Sequence, residues 1–61
     1  MTVYTEGESA IALKKVLRKM RTRTDRMHWK AINKKETKWL CTVSEPTQEE
    51  EYQMLYYGEL R

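Results

Sequence analysis

The side chains best suited to covalent or metal chemistry are a single histidine, His28, and a single cysteine, Cys41. A thiol beside an imidazole is a familiar nucleophile, but a tetrahedral metal site needs four ligands, and this chain offers only two soft ones. The carboxylates of residues 49–51 stand where a helix is expected to begin, and helix capping explains them without proton transfer. The two glycines, Gly7 and Gly58, are too few for a phosphate-binding loop. We therefore expect a non-enzymatic protein without metal or cofactor.

Positive charge is concentrated in one stretch of the chain. Residues 14–38 hold eleven of the twelve Lys and Arg residues against only Asp25 and Glu36, a formal charge of +9, whereas the whole chain carries +3. An ordinary solvated helix face mixes Glu with its Lys, and this stretch hardly does. The pattern predicts a basic patch that binds an anionic partner. The expected contact residues are Lys14, Lys15, Arg18, Arg21, Arg23, Arg26, Lys30, Lys34, Lys35 and Lys38.

Two kinds of partner fit such a patch. The first is nucleic acid, DNA or RNA, whose phosphates are neutralised with salt-dependent affinity and weak sequence preference, so that the chain would be a small nucleic-acid-binding or regulatory protein. The alternative is an acidic surface of a larger host protein, to which the chain would dock as an inhibitor or adaptor. Met54 and Tyr57, expected on the outer side of the last helix, are candidate protein contacts. No sequence motif favours one of these partners over the other.

The length of 61 residues predicts one small domain, residues 1–61, which buries only about 60% of the surface that its unfolded chain exposes. A single cysteine rules out an internal disulfide, so self-association is one expected source of stability. The unpaired thiol suits a reducing compartment, and no apolar run is long enough for a signal sequence or a membrane span. We expect a cytoplasmic protein without membrane contact. The size, with Met1 first, is typical of the regulators and host inhibitors that phages and plasmids encode.

The elements that would position these residues begin with a helix. It is predicted to start after Ser9, its N-cap, and to end within residues 22–25, where two threonines and an aspartate interrupt the pattern. Its apolar residues fall within an arc of about 120°, and the opposite arc is basic. The apolar arc consists of Ala10, Leu13, Val16, Leu17 and Met20. One side should therefore pack on a core while the other presents Lys and Arg.

The next two runs, residues 26–33 and 37–44, alternate in character and predict a β-hairpin. A three-residue loop over residues 34–36 sets a register in which six side chains share one face. The predicted pairs are Ala31 with Trp39, Trp29 with Cys41, and Met27 with Val43.

This register decides where the chemically interesting side chains point. His28 lies on the face opposite Cys41, so the two are not expected to pair. Trp29 and Trp39 can in principle stack on bases, but they share a face with Val43 and are assigned to the core. A helix over the same residues is the competing interpretation, because several of their apolar side chains also approximate helical spacing.

A second helix is predicted after the turn at Pro46. Thr47 and Glu50 have the spacing of a capping box, and Gly58 is a natural stop. The expected inner stripe of this helix consists of Tyr52, Leu55 and Tyr56.

Together these elements predict an α+β domain in the order helix, β-hairpin, helix (α-β-β-α), with residues 2–5 as a candidate edge strand. The predicted core consists of Leu13, Val16, Leu17, Met20, Trp29, Ala31, Trp39, Cys41, Val43, Tyr52, Leu55 and Tyr56.

Overall fold

The computed structural model describes all 61 residues as two helices packed on one face of a four-stranded antiparallel sheet. The strands lie in the order β2-β3-β1-β4, which is the split β-α-β arrangement. A single 3-10 turn, Thr24–Arg26, precedes β2. The elements are β1 (Thr2–Glu6), α1 (Gly7–Lys19), β2 (Met27–Ala31), β3 (Lys38–Val43), α2 (Gln48–Tyr57) and β4 (Glu59–Leu60).

The predicted order helix, hairpin, helix is wrong, because the chain begins with a strand that helps to build the sheet. β1 pairs with β3 on one side and with β4 on the other, so it is an interior strand and not the expected edge. Val3 and Thr5 point from it toward the helices and are buried. A five-residue segment with only two inward side chains gives too weak a pattern to reveal an interior strand from sequence.

The hairpin register is confirmed, since Met27 pairs with Val43, Trp29 with Cys41, and Ala31 with Trp39. The helical alternative for this segment is therefore wrong. Asn33 closes the tip: its Oδ1 accepts from the backbone nitrogens of Thr37 at 3.0 Å and Lys38 at 3.2 Å. Such local side-chain bonds are what make Asn a turn former.

The helix α1 starts two residues before the predicted N-cap. Gly7, at a φ of 58°, turns the chain directly from β1 into the helix, and its amide donates to Thr37 O at 2.8 Å. The expected apolar arc does face the sheet, with Ala10, Leu13 and Leu17 buried. The basic residues of α1 consequently lie outward.

The helix α2 is rotated relative to the predicted stripe. Tyr52, Leu55 and Tyr56 are 66%, 51% and 69% exposed, whereas Met54 is 0% exposed and belongs to the core cluster. Tyr57 is half-buried against the same cluster. The prediction that Met54 and Tyr57 point outward is therefore wrong, and a fully buried Met54 does not contact a partner of the folded protein. The second half of α2 has apolar residues on all its sides, so the periodicity of apolar residues alone did not identify the inner face.

The buried core is smaller than the predicted one. It consists of Val3, Leu13, Leu17, Cys41, Val43 and Met54, and Met1, Met27, Trp29 and Tyr57 pack against it while partly exposed. The predicted members Val16, Met20, Ala31 and Trp39 are only half-buried.

The helix α2 has both predicted terminal signals. Thr47 and Glu50 form the capping box, and Gly58 is the C-cap residue. Gly58 does not adopt the left-handed conformation usual for a glycine that ends a helix, because its φ of −131° is ordinary extended backbone. A Cβ at Gly58 would instead lie 2.8 Å from both Thr5 Cγ2 and Tyr4 O, so glycine allows the chain to pass close to β1.

Glu50 also joins three elements of the fold. Its carboxylate accepts hydrogen bonds from Thr22 after α1, from the Thr47 amide at 2.8 Å, and from Arg26 Nη2 at 2.9 Å before β2. Burial raises the pKa of Glu50, but the bonds from Thr22, Thr47 and Arg26 together outweigh burial and hold that pKa below its ordinary value of 4.5. The ionised form is therefore the one that the fold stabilises.

Neighbouring residues of α2 provide a test of its rotation. We expect Met54→Ala to lower the free energy of unfolding by about 2 to 5 kcal/mol, because it opens a cavity in the core. Leu55→Ala, on the exposed side, should change it by no more than about 0.5 kcal/mol. Urea unfolding followed by circular dichroism measures both, and Met54→Leu, expected to cost less than about 1.5 kcal/mol, covers the case in which the alanine variant does not fold. A larger loss for Leu55→Ala would contradict this orientation.

The role of Glu50 predicts a particular pH dependence. A lowered pKa in the folded state means that its contribution is complete above pH 4.5 and is lost as the pH falls through the folded-state value. Glu50→Gln should therefore cost about 1 to 3 kcal/mol at neutral pH, and the difference from the parent should shrink in acid. Denaturant unfolding over a pH series measures this, with exposed Glu49→Gln as the control. A difference that does not vary with pH would refute the assignment.

Candidate anion-binding surfaces

The outer side of α1 carries a group of exposed cations. Lys14, Lys15, Arg18 and Lys19 are exposed along it, and Arg21 is exposed just beyond its end. None of them makes an ion pair: the two ion pairs of the structure are Arg23 with Asp25 and Arg26 with Glu50. Nine of the eleven Lys and Arg residues in the stretch 14–38 therefore make no ion pair. We call the five residues of α1 and its end the helix ridge; Lys19 was missing from the predicted contacts.

Arg21 holds an uncommon backbone conformation at the end of the ridge. Its φ is 60°, its amide donates to Arg18 O at 3.0 Å, and the Thr22 amide donates to Leu17 O at 3.0 Å. This is a Schellman motif, in which glycine is the usual residue at the left-handed position. An arginine there costs roughly 1 kcal/mol, and its side chain is exposed two residues beyond Lys19, the last residue of α1.

The hairpin carries a second group of basic residues. Lys30 and Lys38 belong to the sheet face opposite the helices, since Lys30 pairs with Leu40 and Lys38 pairs with Glu6. Lys34 and Lys35 lie exposed at the tip. Because α1 covers the other face, the predicted single patch is divided, and Lys30 and Lys38 lie on the opposite side of the sheet from the helix ridge.

The two remaining predicted contacts are engaged within the protein. Arg26 donates to Ser44 O at 3.2 Å, Glu45 O at 3.1 Å and Glu50 Oε1 at 2.9 Å, so its guanidinium holds the fold together. Arg23 Nε lies 3.3 Å from Asp25 Oδ1, but both side chains are largely exposed and the pair is weak.

The open sheet face has one central aromatic side chain, and that ring is already covered. The Arg61 guanidinium carbon lies 4.9 Å from the centroid of the Tyr4 ring, and Tyr4 donates to Glu6 Oε2 at 2.9 Å. The hydrogen bond to Glu6 is the main cause that raises the pKa of Tyr4. A base that stacked on this face would first have to displace Arg61.

A pocket of about 110 Å³ lies between α1 and the hairpin. Its walls are Ala10, Ile11 and Lys14 of α1 with Trp29 and Trp39 of the sheet. The tryptophans, assigned to the core from the sequence, are only half-buried and line this pocket. Trp39 donates to Glu36 O at 3.0 Å, whereas the buried Trp29 Nε1 has no hydrogen-bond partner. The two rings with Ile11 and Lys14 form an apolar recess with a cation among its walls.

His28 and Cys41 lie on opposite faces of the sheet, as the register predicted. Cys41 is buried, and that burial raises the pKa of its thiol to about 11. At neutral pH the thiol is therefore protonated and a poor nucleophile. No three side chains of His, Cys, Asp or Glu converge on a point where they would hold a metal ion.

Neither helix has the length and apolar character needed to cross a membrane. No family model, curated protein or solved structure matches the chain.

The conformation of Arg21 predicts opposite effects for the same substitution at two positions. Arg21→Gly should raise the free energy of unfolding by about 0.5 to 1 kcal/mol, because glycine adopts a positive φ without a steric cost. Arg18→Gly, inside α1, should lower it by about 1 kcal/mol. Both substitutions remove one arginine charge, so the comparison isolates the effect on the backbone. Thermal and urea unfolding of both variants measure it. Equal losses would mean that the Schellman geometry is not maintained in solution.

Proposed function

We propose that this is a small, non-enzymatic nucleic-acid-binding protein with a regulatory role, and that its helix ridge contacts the phosphate backbone. The observation that carries the proposal is the uncompensated charge of Lys14, Lys15, Arg18, Lys19 and Arg21 on one exposed side of α1. None of these five side chains is buried, so the fold does not need them as partners in a buried ion pair. A surface of five cations without a carboxylate attracts a polyanion.

The spacing of the ridge suits a nucleic-acid backbone. Within α1, the ridge from Lys14 to Lys19 spans roughly 7.5 Å at about 1.5 Å per residue, and over that length a duplex presents about four phosphates. Arg21 adds a second argument, because an arginine occupies a backbone position that glycine would fill at lower cost. A phosphate contact by its guanidinium would offset that cost.

Sequence preference should be weak. The ridge contains lysines and arginines but no Asn or Gln, the side chains that recognise adenine in the major groove. Contacts to phosphates position a protein without reporting sequence. A cytoplasmic location belongs to the same proposal, since a free thiol such as Cys41 is typical of a reducing compartment.

An acidic protein surface is the second candidate partner, and the pocket favours it specifically. Ile11 is 57% exposed beside Lys14, so an apolar anchor stands next to the ridge. Protein interfaces combine such anchors with complementary charge. A pull-down from cell extract with and without nuclease distinguishes a partner bridged by nucleic acid from one bound directly.

Salt dependence tests the main proposal. Affinity for labelled single-stranded and duplex DNA and RNA should fall by orders of magnitude between about 50 and 200 mM salt, because counterions are released in proportion to the phosphate contacts. A protein complex with an apolar centre would respond less steeply. If none of the four nucleic acids binds more tightly than about 10⁻⁴ M at the lower salt, the proposal fails.

Two variants with the same loss of charge locate the binding surface. Replacing Lys14, Arg18 and Arg21 with Ala should reduce the slope of log affinity against log salt by about 2 to 3. Replacing Lys30, Lys35 and Lys38 with Ala removes three charges from the sheet face and hairpin tip and should reduce it less. Circular dichroism confirms that each variant is folded. An equal or larger effect of the second set would remove the helix ridge from the mechanism.

A further inference from the structure

We propose that the outer edge of β2 and the adjoining tryptophan pocket form a docking site for an extended peptide segment in which acidic and large apolar residues alternate. The segment adds a fifth strand to the sheet, antiparallel to β2. This site shares only Lys14 with the helix ridge, and it is formed mainly by backbone groups and apolar side chains.

β2 is the terminal strand of the sheet, and its outer edge has free backbone groups. The Ile32 amide donates to Lys38 O at 2.9 Å, and the Ser44 amide donates to Arg26 O at 2.9 Å. Hydrogen-bonded pairs alternate in an antiparallel ladder, so the even-numbered residues of β2 bond to β3 and the odd-numbered ones point outward. Trp29 and Ala31 each present a free N–H and C=O, while the Met27 amide is already bonded to Thr24 O. The edge therefore offers two complete pairs of backbone bonds.

The outer edge of β2 leads directly to the pocket. Side chains opposite Trp29 and Ala31 of an added strand lie on the helix side of the sheet. Ala31 pairs directly with Trp39. At this position of the ladder, only the methyl group of Ala31 lies between the outer edge of β2 and the Trp39 ring. A large apolar side chain opposite Ala31 therefore passes over the methyl group toward the recess that Ile11, Trp29 and Trp39 enclose.

The charge beside β2 on the open face of the sheet favours an acidic segment. The alternate side chains of the added strand lie on the open face beside His28 and Lys30, both exposed, and Lys34 and Lys35 follow at the tip. Acidic residues complement these positions. A second copy of the chain does not, because antiparallel pairing of two β2 strands about Trp29 would place each Lys30 beside the partner's His28. Lysine on an edge strand discourages such self-pairing, and the same charge favours an acidic strand.

The probe is an acetylated and amidated heptapeptide of alternating glutamate and leucine. Trp29 and Trp39, the only tryptophans, both line the pocket, so their fluorescence reports docking directly. We expect a saturable change with a dissociation constant below about 1 mM, and amide shifts in NMR spectra at Trp29 and Ala31. A peptide of the same composition with its glutamates and leucines in two blocks should bind at least about tenfold more weakly.

N-methylation of the peptide tests the strand geometry. In antiparallel pairing, the leucines opposite Trp29 and Ala31 exchange backbone bonds with β2, whereas the glutamate amides point away. N-methyl-leucine should therefore weaken binding about tenfold, and N-methyl-glutamate should have little effect. The reverse sensitivity, or no sensitivity, would overturn the proposal.

Protein variants test the two halves of the site. Ala31→Pro removes an outward amide without removing a ladder bond, a position at which edge strands tolerate proline, and should weaken the peptide about tenfold. Ile11→Asp should weaken it similarly, whereas Leu55→Asp, on the comparably exposed side of α2, should not. Ile11→Asp keeps the test valid if the proline variant is unfolded.

Three outcomes would each overturn the proposal: no saturable change up to about 1 mM peptide, shifts confined to another surface, or a protein mass that rises with concentration through β2 self-pairing.

Discussion

A single buried carboxylate, Glu50, fixes the arrangement of the other elements. It connects the segment after α1 through Thr22, the segment before β2 through Arg26, and the first turn of α2 through Thr47. Because Glu50 must face inward to make these bonds, Met54, one helical turn later, also faces inward and completes the core. The same bonds hold the end of α1 near the start of the hairpin, so α1 lies where its outer side is basic and its flank meets the two tryptophans. A buried charge with all its partners present tolerates little rearrangement.

The sequence predicted those parts of the fold whose information is local. The hairpin register follows from a loop length and a two-residue period, and the capping box from two residues three apart. The position of β1 and the rotation of α2 depend instead on which distant residues meet. Glu50 looked like an ordinary residue of a helix start, and nothing in the sequence around it shows that Arg26 and Thr22 would bury it. The division of the basic stretch has the same origin, because charge along the chain does not reveal which side of a sheet each strand residue faces.

The three exposed surfaces differ in the chemistry that they offer. The helix ridge presents charge without apolar area and suits a hydrated polyanion. The pocket and the β2 edge present apolar side chains and directional backbone groups, which suit an ordered segment of polypeptide. On the open sheet face, the central ring of Tyr4 is covered by Arg61, and cations are interspersed with Glu6 and Glu59. The ridge and the pocket share only Lys14, so the two surfaces are largely distinct.

The interior position of β1 also has a kinetic consequence. Val3 pairs with Cys41 and with Leu60, so the middle of the sheet is assembled from segments that are far apart in the chain. Such pairings carry a large loop-closure entropy and slow the rate-limiting step of folding. The helix α1 and the β2-β3 hairpin depend on local contacts and can form early, whereas β1 needs its distant partners β3 and β4. Until β4 pairs with it, one side of β1 stays open, and an unpaired strand edge is a template for aggregation.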